Sequence, residues 1–123
     1  FLRTIDQTRG LLSYVEARFP GAYHPELQYM SVCSTAQGGA LPWQGAGPIA
    51  SALALTSYGP LCGDGFTRGD GITPINCGHL PGAEHREVDA YHMNFVPGSG
   101  VRLLGTPWYG SPDILGGWAD FLE

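Results

Sequence analysis

A helical period that stops at Pro20-Gly21 and gives way, through a short loop, to strand-favouring residues is the feature that most restricts the fold of this chain. Apolar Ile5, Leu11, Leu12, Val15 and Phe19 recur at near-helical intervals, while Asp6, Gln7, Arg9, Glu16 and Arg18 fill the other positions. This predicts an amphipathic helix over residues 4–19: Thr4 or Asp6 suits its cap, Gly10 weakens its middle and Pro20 ends it. Residues 27–33 then read as a strand buried on at least one face, bounded by Pro25 and by polar and glycine residues beyond Cys33. Helix, short loop and strand in succession form the repeating unit of a parallel sheet, so the expected class is α/β.

The remainder divides on its glycines and prolines. Residues 34–47, with Gly38-Gly39, Pro42 and Gly45, read as a loop carrying Trp43. An Ala-rich helix follows over 49–55, with Pro48 near its start and Tyr58-Gly59-Pro60 as its stop; it reads as a packing helix, with a mobile lid as the alternative. A glycine-dense approach leads to Asp70, a short turn or helix is expected over 74–80, and 84–90 reads as a second strand with Val88 inward. After a long loop over 93–108, Ser111-Pro112-Asp113 marks a final helix with Ile114, Leu115, Trp118 and Leu122 as its apolar face. The architecture expected is two neighbouring parallel strands with flanking helices.

Composition removes several classes of function. The 19 glycines and 10 prolines approach the share of low-complexity chains, but they show no period and 43% of residues are hydrophobic, which favours a loop-rich folded segment. With only 14% charged residues and a net charge of −5, no basic face is available for nucleic acid. No apolar run is long enough for a transmembrane segment, and the first residues lack the basic and apolar regions of a signal peptide. Cys33, Cys62 and Cys77 have no C-x-x-C spacing, so neither a zinc knuckle nor a disulfide framework is indicated, although one bridge is allowed.

Chemistry concentrates in Gly69-Asp70-Gly71-Ile72-Thr73-Pro74 and in Tyr91-His92 beyond the second strand. A carboxylate on a glycine-flanked turn, followed after one strand by a histidine on its own turn, is the order in which an acid and a histidine follow a nucleophile in a triad. Asp70 would accept the imidazole N–H and fix the tautomer of His92, leaving the other ring nitrogen to take a proton from a hydroxyl or thiol. A G-x-S-x-G turn should then lie upstream, yet none of Ser13, Ser31, Ser34, Ser51 or Ser57 has glycines at that spacing. Asp64, also between glycines, is the rival acid, but it lies farther from the strand leading to His92 and lacks the following proline. None of the cysteines sits on such an elbow either, so buried structural thiols are expected.

The ordered set G-L-L-S-Y-V-x-x-x-F-P-G-A over 10–22, C-G at 62–63, G-D-G-I-T-P over 69–74, H-L-P-G-A over 79–83, D-A-Y-H over 89–92 and P-W-Y-G-S-P over 107–112 resembles the lipase-like α/β-hydrolases of plants and cyanobacteria. The resemblance implies that 27–33 and 84–90 are the last two strands of a hydrolase sheet, that 34–69 is an insertion, and that Asp70 and His92 are the triad acid and histidine. It further implies a G-x-S-x-G elbow and an L-G-T-P-H-like strand ahead of Phe1. Residues 1–123 are therefore expected to be the C-terminal portion of one α/β-hydrolase domain, inactive without the nucleophile half. Hydrolysis of a small-molecule or lipid carboxylic ester, with no cofactor and no metal, and a chloroplast or cytoplasmic location follow from the same likeness. Ala90 departs from it, since glycine is usual before the aromatic residue and the histidine, and a tilted histidine turn is one expected effect.

Two other readings stand beside this one. A non-catalytic binding or interaction module would keep the truncated hydrolase scaffold without its nucleophile. A metal-binding protein would use His79 and His85 with Asp64 and Asp70, although these spacings match no helical or knuckle motif and His79 reads better as a brace for the acid loop. Trp108 and Tyr109 read as packing anchors for the closing helix.

Overall fold

The computed structural model describes residues 2–44, 47–94 and 106–122. Helix α1, Leu2–Arg18, carries a basic residue in its last turn, where the helix dipole favours it, and stops at Pro20 as the sequence requires. Leu11, Leu12 and Val15 of its apolar stripe remain exposed, as does Phe19 just past its end. The chain then turns back at Ala22, whose N–H donates to the Pro81 carbonyl at 2.8 Å.

Strand β1, Met30–Ser34, begins later than the apolar run because residues 24–27 close a turn, Leu27 N–H donating to the His24 carbonyl. It pairs in parallel with β4, Glu84–Val88, in a register running from Met30 opposite Glu84 to Ser34 opposite Val88. The fold is thus a small mixed α/β arrangement, with a two-stranded parallel sheet and three helices among the described residues. The strand expected over 84–90 ends at Val88 because the Ala90 N–H leaves the ladder and donates to the Ser34 hydroxyl at 3.1 Å. That hydroxyl also accepts the Ala36 N–H at 3.0 Å, so one buried oxygen pins both strand exits.

The segment between the strands is more ordered than its composition implies. Within the expected loop 34–47, β2, Gln37–Gly38, pairs antiparallel with β3, Arg68–Gly69, and the two deliver the chain to Asp70. Helix α2, Pro48–Cys62, runs through the expected stop at Tyr58-Gly59-Pro60 and ends in a left-handed Gly63. The reason is tertiary: fully buried Tyr58 anchors the last turns, and Ser51, Ala54 and Tyr58 form one buried stripe, as a packing helix requires. Buried Gln37 adds a polar tie, its side-chain amide donating to the Ser51 hydroxyl at 3.1 Å.

Residues 75–77 form the expected short turn as a 3-10 turn, Ile75–Cys77. Of the loop expected over 93–108, residues 95–105 lie outside the described residues. The final helix is shorter than its start signal suggests: α3, Pro112–Leu115, breaks at Gly116-Gly117 and resumes as a 3-10 turn, Ala119–Leu122. Ser111 does not cap α3; its hydroxyl instead accepts the Trp108 N–H at 2.9 Å. The expected apolar face divides, with Ile114 and Trp118 half-buried while Leu115 and Leu122 are exposed. Arg86 of β4 holds this terminus through the Gly117 carbonyl at 3.0 Å and the Asp120 carboxylate.

Candidate functional site

Asp70 follows β3 on a turn built from its own side chain. Its Oδ1 accepts the N–H groups of Ile72 and Thr73 at 2.9 and 2.6 Å, while its own N–H donates to the Thr73 carbonyl at 3.1 Å. This is an Asx-type turn, which explains a short acidic residue at its head. Glycine is required before it, because a Cβ on Gly69 would stand 2.1 Å from the Thr73 carbonyl oxygen and 2.8 Å from the Tyr58 hydroxyl. After it, Gly71 takes φ +99°, in the region that L side chains avoid.

Tyr58 secures this turn to α2. Its hydroxyl accepts the Gly71 N–H at 2.7 Å and donates to the Gln37 carbonyl at 3.0 Å, bridging β2 and the acid turn. Burial pushes its phenol up to about 12, with the Gly71 N–H opposing and the Asp70 charge adding.

The second oxygen of Asp70 faces the histidine. His92 Nδ1 lies 2.9 Å from Asp70 Oδ2, and the His92 backbone N–H donates to the Asp70 carbonyl at 2.9 Å. A carboxylate only accepts, so Nδ1 carries the proton and Nε2 is the basic nitrogen of the neutral ring. The Asp70 side chain is 4% exposed and that of His92 43%, so a buried anion orients a ring that remains accessible. Ala90 fits two residues before His92, fully buried and hydrogen-bonded through its N–H.

Tyr109 also reaches Asp70. Its hydroxyl donates to Oδ2 at 3.2 Å, so this residue serves the acid rather than only anchoring the closing helix. Burial pushes its phenol above the usual tyrosine range, and the Asp70 charge and hydrogen bond add to the effect. Neither tyrosine role was readable in the sequence. Tyr58 stands in a helix-stop motif, and Tyr109 follows Asp70 by 39 positions, with no local pattern to pair them.

A cleft of about 360 Å³ opens beside the pair, lined in part by Val32, Cys33, Thr73, Ile75, His92 and Trp118. Cys33 is 3% exposed, and burial, with the charges of Glu87 and Asp70, pushes its thiol up, opposite to what a thiolate nucleophile needs. Cys62 and Cys77 are respectively half-buried and exposed, so expected burial of the thiols applies to Cys33 alone. Ser34 also borders the cleft, but its buried hydroxyl accepts the two N–H groups at the strand exits.

The other sequence candidates have separate partners. Asp64 accepts the Phe66 N–H at 2.8 Å within its own turn. His24 pairs with Glu26 at 3.2 Å. His79 stacks on His85, ring centroids 4.5 Å apart, and His85 Nδ1 lies 2.5 Å from the Ser31 hydroxyl. Among the described residues no group of three His, Cys, Asp or Glu side chains is placed to hold a metal ion, and no helix is long and apolar enough to cross a membrane. No family model, curated protein or solved structure matches this chain.

Proposed function

We propose that Asp70 and His92 are the acid and histidine of a serine hydrolase acting on a small-molecule or lipid carboxylic ester, with the nucleophile supplied by polypeptide outside these 123 residues. The observation that carries this reading is the 2.9 Å contact between His92 Nδ1 and the buried, multiply hydrogen-bonded Oδ2 of Asp70. A fixed tautomer with its basic nitrogen turned away from the acid is what proton transfer from a serine requires. Of the serine and cysteine side chains lining the cleft among the described residues, the Ser34 hydroxyl is engaged by two backbone N–H groups and the Cys33 thiol is raised, so neither suits the role of activated nucleophile.

In this mechanism the serine oxygen attacks the ester carbonyl as His92 Nε2 takes its proton. The resulting imidazolium is stabilised by Asp70, while backbone N–H groups, at least one from outside this chain, hold the oxyanion. Collapse breaks the ester C–O bond, and Nε2 returns the proton to the departing alcohol. Water then attacks the acyl carbon as His92 Nε2 takes its proton, and collapse breaks the acyl–serine C–O bond, releasing the carboxylic acid while Nε2 returns the proton to the serine oxygen.

The test is reaction of the protein bearing the complete chain with a fluorophosphonate, followed by ester turnover in the Asp70→Asn and His92→Ala variants. Labelling at a serine and a loss of about 10⁴-fold in each variant are expected. Full activity with both substitutions present would overturn the assignment, and an unlabelled wild-type protein would favour the non-catalytic binding module.

A further inference from the structure

Asp70 divides its acceptors between two sets of donors. Oδ1 is committed to the turn through the Ile72 and Thr73 N–H groups, whereas Oδ2 receives only side chains, His92 Nδ1 at 2.9 Å and the Tyr109 hydroxyl at 3.2 Å. The two side-chain donors therefore draw on one oxygen.

Tyr109 is held for this contact. Trp108 N–H donates to the Ser111 hydroxyl and Ser111 N–H to the Trp108 carbonyl, closing the turn on which Tyr109 sits. Tyr91 N–H donates to the Pro107 carbonyl at 2.9 Å, and Tyr91 bridges to Trp108, so the Tyr109 turn is fastened to the residue preceding His92. The shared oxygen thus stands between two segments joined to each other by backbone.

We propose that Tyr109 is a positioning residue, whose neutral phenol donates to Oδ2 of Asp70 and thereby sets both the orientation and the proton affinity of His92. A hydrogen bond to a carboxylate disperses its charge, so less of that charge stabilises the imidazolium. Among the described residues the Asp70 charge acts on Tyr58 from α2, Cys33 from β1 and Tyr109 itself, while Arg68 of β3 and Tyr91 of the histidine turn act on Tyr58, and Glu87 of β4 acts on Cys33. Tyr109 is the one whose hydroxyl reaches Oδ2 among the described residues. Burial and the neighbouring anion keep its phenol protonated, and so a donor, through the pH range in which imidazoles titrate. The catalytic consequence rests on the hydrolase reading; the coupling between Tyr109 and His92 does not.

The test reads the imidazole directly. The Cε1–H resonance of His92, assigned through His92→Gln, is followed against pH by NMR in the full chain and in Tyr109→Phe, Asp70→Asn and the double variant. Tyr109→Phe is expected to raise the His92 midpoint by about half a pH unit, since the carboxylate then concentrates its charge on the imidazolium. In the Asp70→Asn background the same substitution is expected to shift nothing. An unmoved midpoint in Tyr109→Phe, or an equal shift in both backgrounds, overturns the proposal.

Should Tyr109→Phe fail to fold, 3-fluorotyrosine at position 109 keeps the shape and strengthens the donor. The midpoint is then expected to fall, and one that stays or rises overturns the role. An intact protein that ignores fluorophosphonate would remove the hydrolase reading while leaving this coupling measurable, so the two failures are distinguishable.

Discussion

The acid turn depends on atoms that have no substitutes. An added Cβ on Gly69 would meet backbone atoms of Thr73 and Pro74, at 2.1 and 2.8 Å, which cannot swing aside as a side chain could. A methyl on Gly71 meets nothing closer than a Tyr91 ring carbon at 3.9 Å and pays only for its positive φ. Gly69→Ala is therefore expected to cost more stability than Gly71→Ala, about 3 against about 1 kcal/mol, measured as urea-unfolding free energies. The reverse order would mean that the Thr73 carbonyl moves freely. Tyr58→Phe strips a buried N–H and a buried carbonyl of their shared partner, an expected loss of about 1–3 kcal/mol in the same assay. Tyr58 also gives the turn a pH limit. Its phenol titrates near 12 in the fold against 10.0 for an unburied tyrosine, so the folded state holds the proton more tightly. The stability from Tyr58 is whole below pH 10 and declines as pH rises toward 12, and Tyr109, shifted in the same direction, adds to that decline. Unfolding free energy measured between pH 9 and 12 should fall less steeply in Tyr58→Phe than in the parent; parallel slopes would exclude Tyr58 as a source.

At the scale of elements, what the sequence revealed was what short-range chemistry decides. Asp70-Gly71 with Pro74 specifies its turn through the aspartate's own side chain, and the strand that leads to His92 was readable in its position, though it ends at Val88 rather than residue 90. The short β2–β3 ladder, the run of α2 past Pro60 and the reach of Tyr109 to Asp70 come from groups distant in sequence. Tyr58 makes the difference in α2, where a buried anchor outweighs the local stop signal. Gly116-Gly117 shows the converse, since good start residues could not carry α3 through two glycines. Ser34 joins the two scales, its hydroxyl taking the N–H groups of Ala36 and Ala90 where β1 and β4 end. Ser34→Ala leaves both donors without that acceptor, at an expected cost of about 1–3 kcal/mol. Amide exchange should quicken at Ala36 and Ala90 before it quickens at Ile72 and Thr73, whose acceptor is Asp70. Uniform acceleration at all four would show instead that Ser34 supports the whole fold rather than the strand exits.

For the whole molecule, the contrast lies between a well-bonded site and a thin apolar core. Among the described residues the buried apolar side chains are those of Cys33, Ala54, Tyr58, Pro74 and Ala90, and they share the interior with buried Ser34, Gln37, Ser51 and Asp70. Large side chains remain outside: Leu11, Leu12 and Val15 on α1, Phe19 just past its end, and Ile49 and Leu53 on α2. Parallel strands are normally covered on both faces and continued by neighbours, yet among the described residues β1 and β4 pair only with each other. Since the slope of a urea transition scales with the surface exposed on unfolding, and ANS binds accessible apolar surface, these residues predict the solution behaviour of the chain by itself. It should unfold at low urea with a shallow slope and bind ANS before the transition. Replacing exposed Leu12 and Phe19 with glutamate should lower the ANS signal without moving the titration of His92, because neither side chain takes part in the hydrogen bonds that fix Asp70. A steep, cooperative transition with no ANS signal would show that two parallel strands and a polar core suffice for a stable fold, and the exposed apolar faces would then need no covering polypeptide.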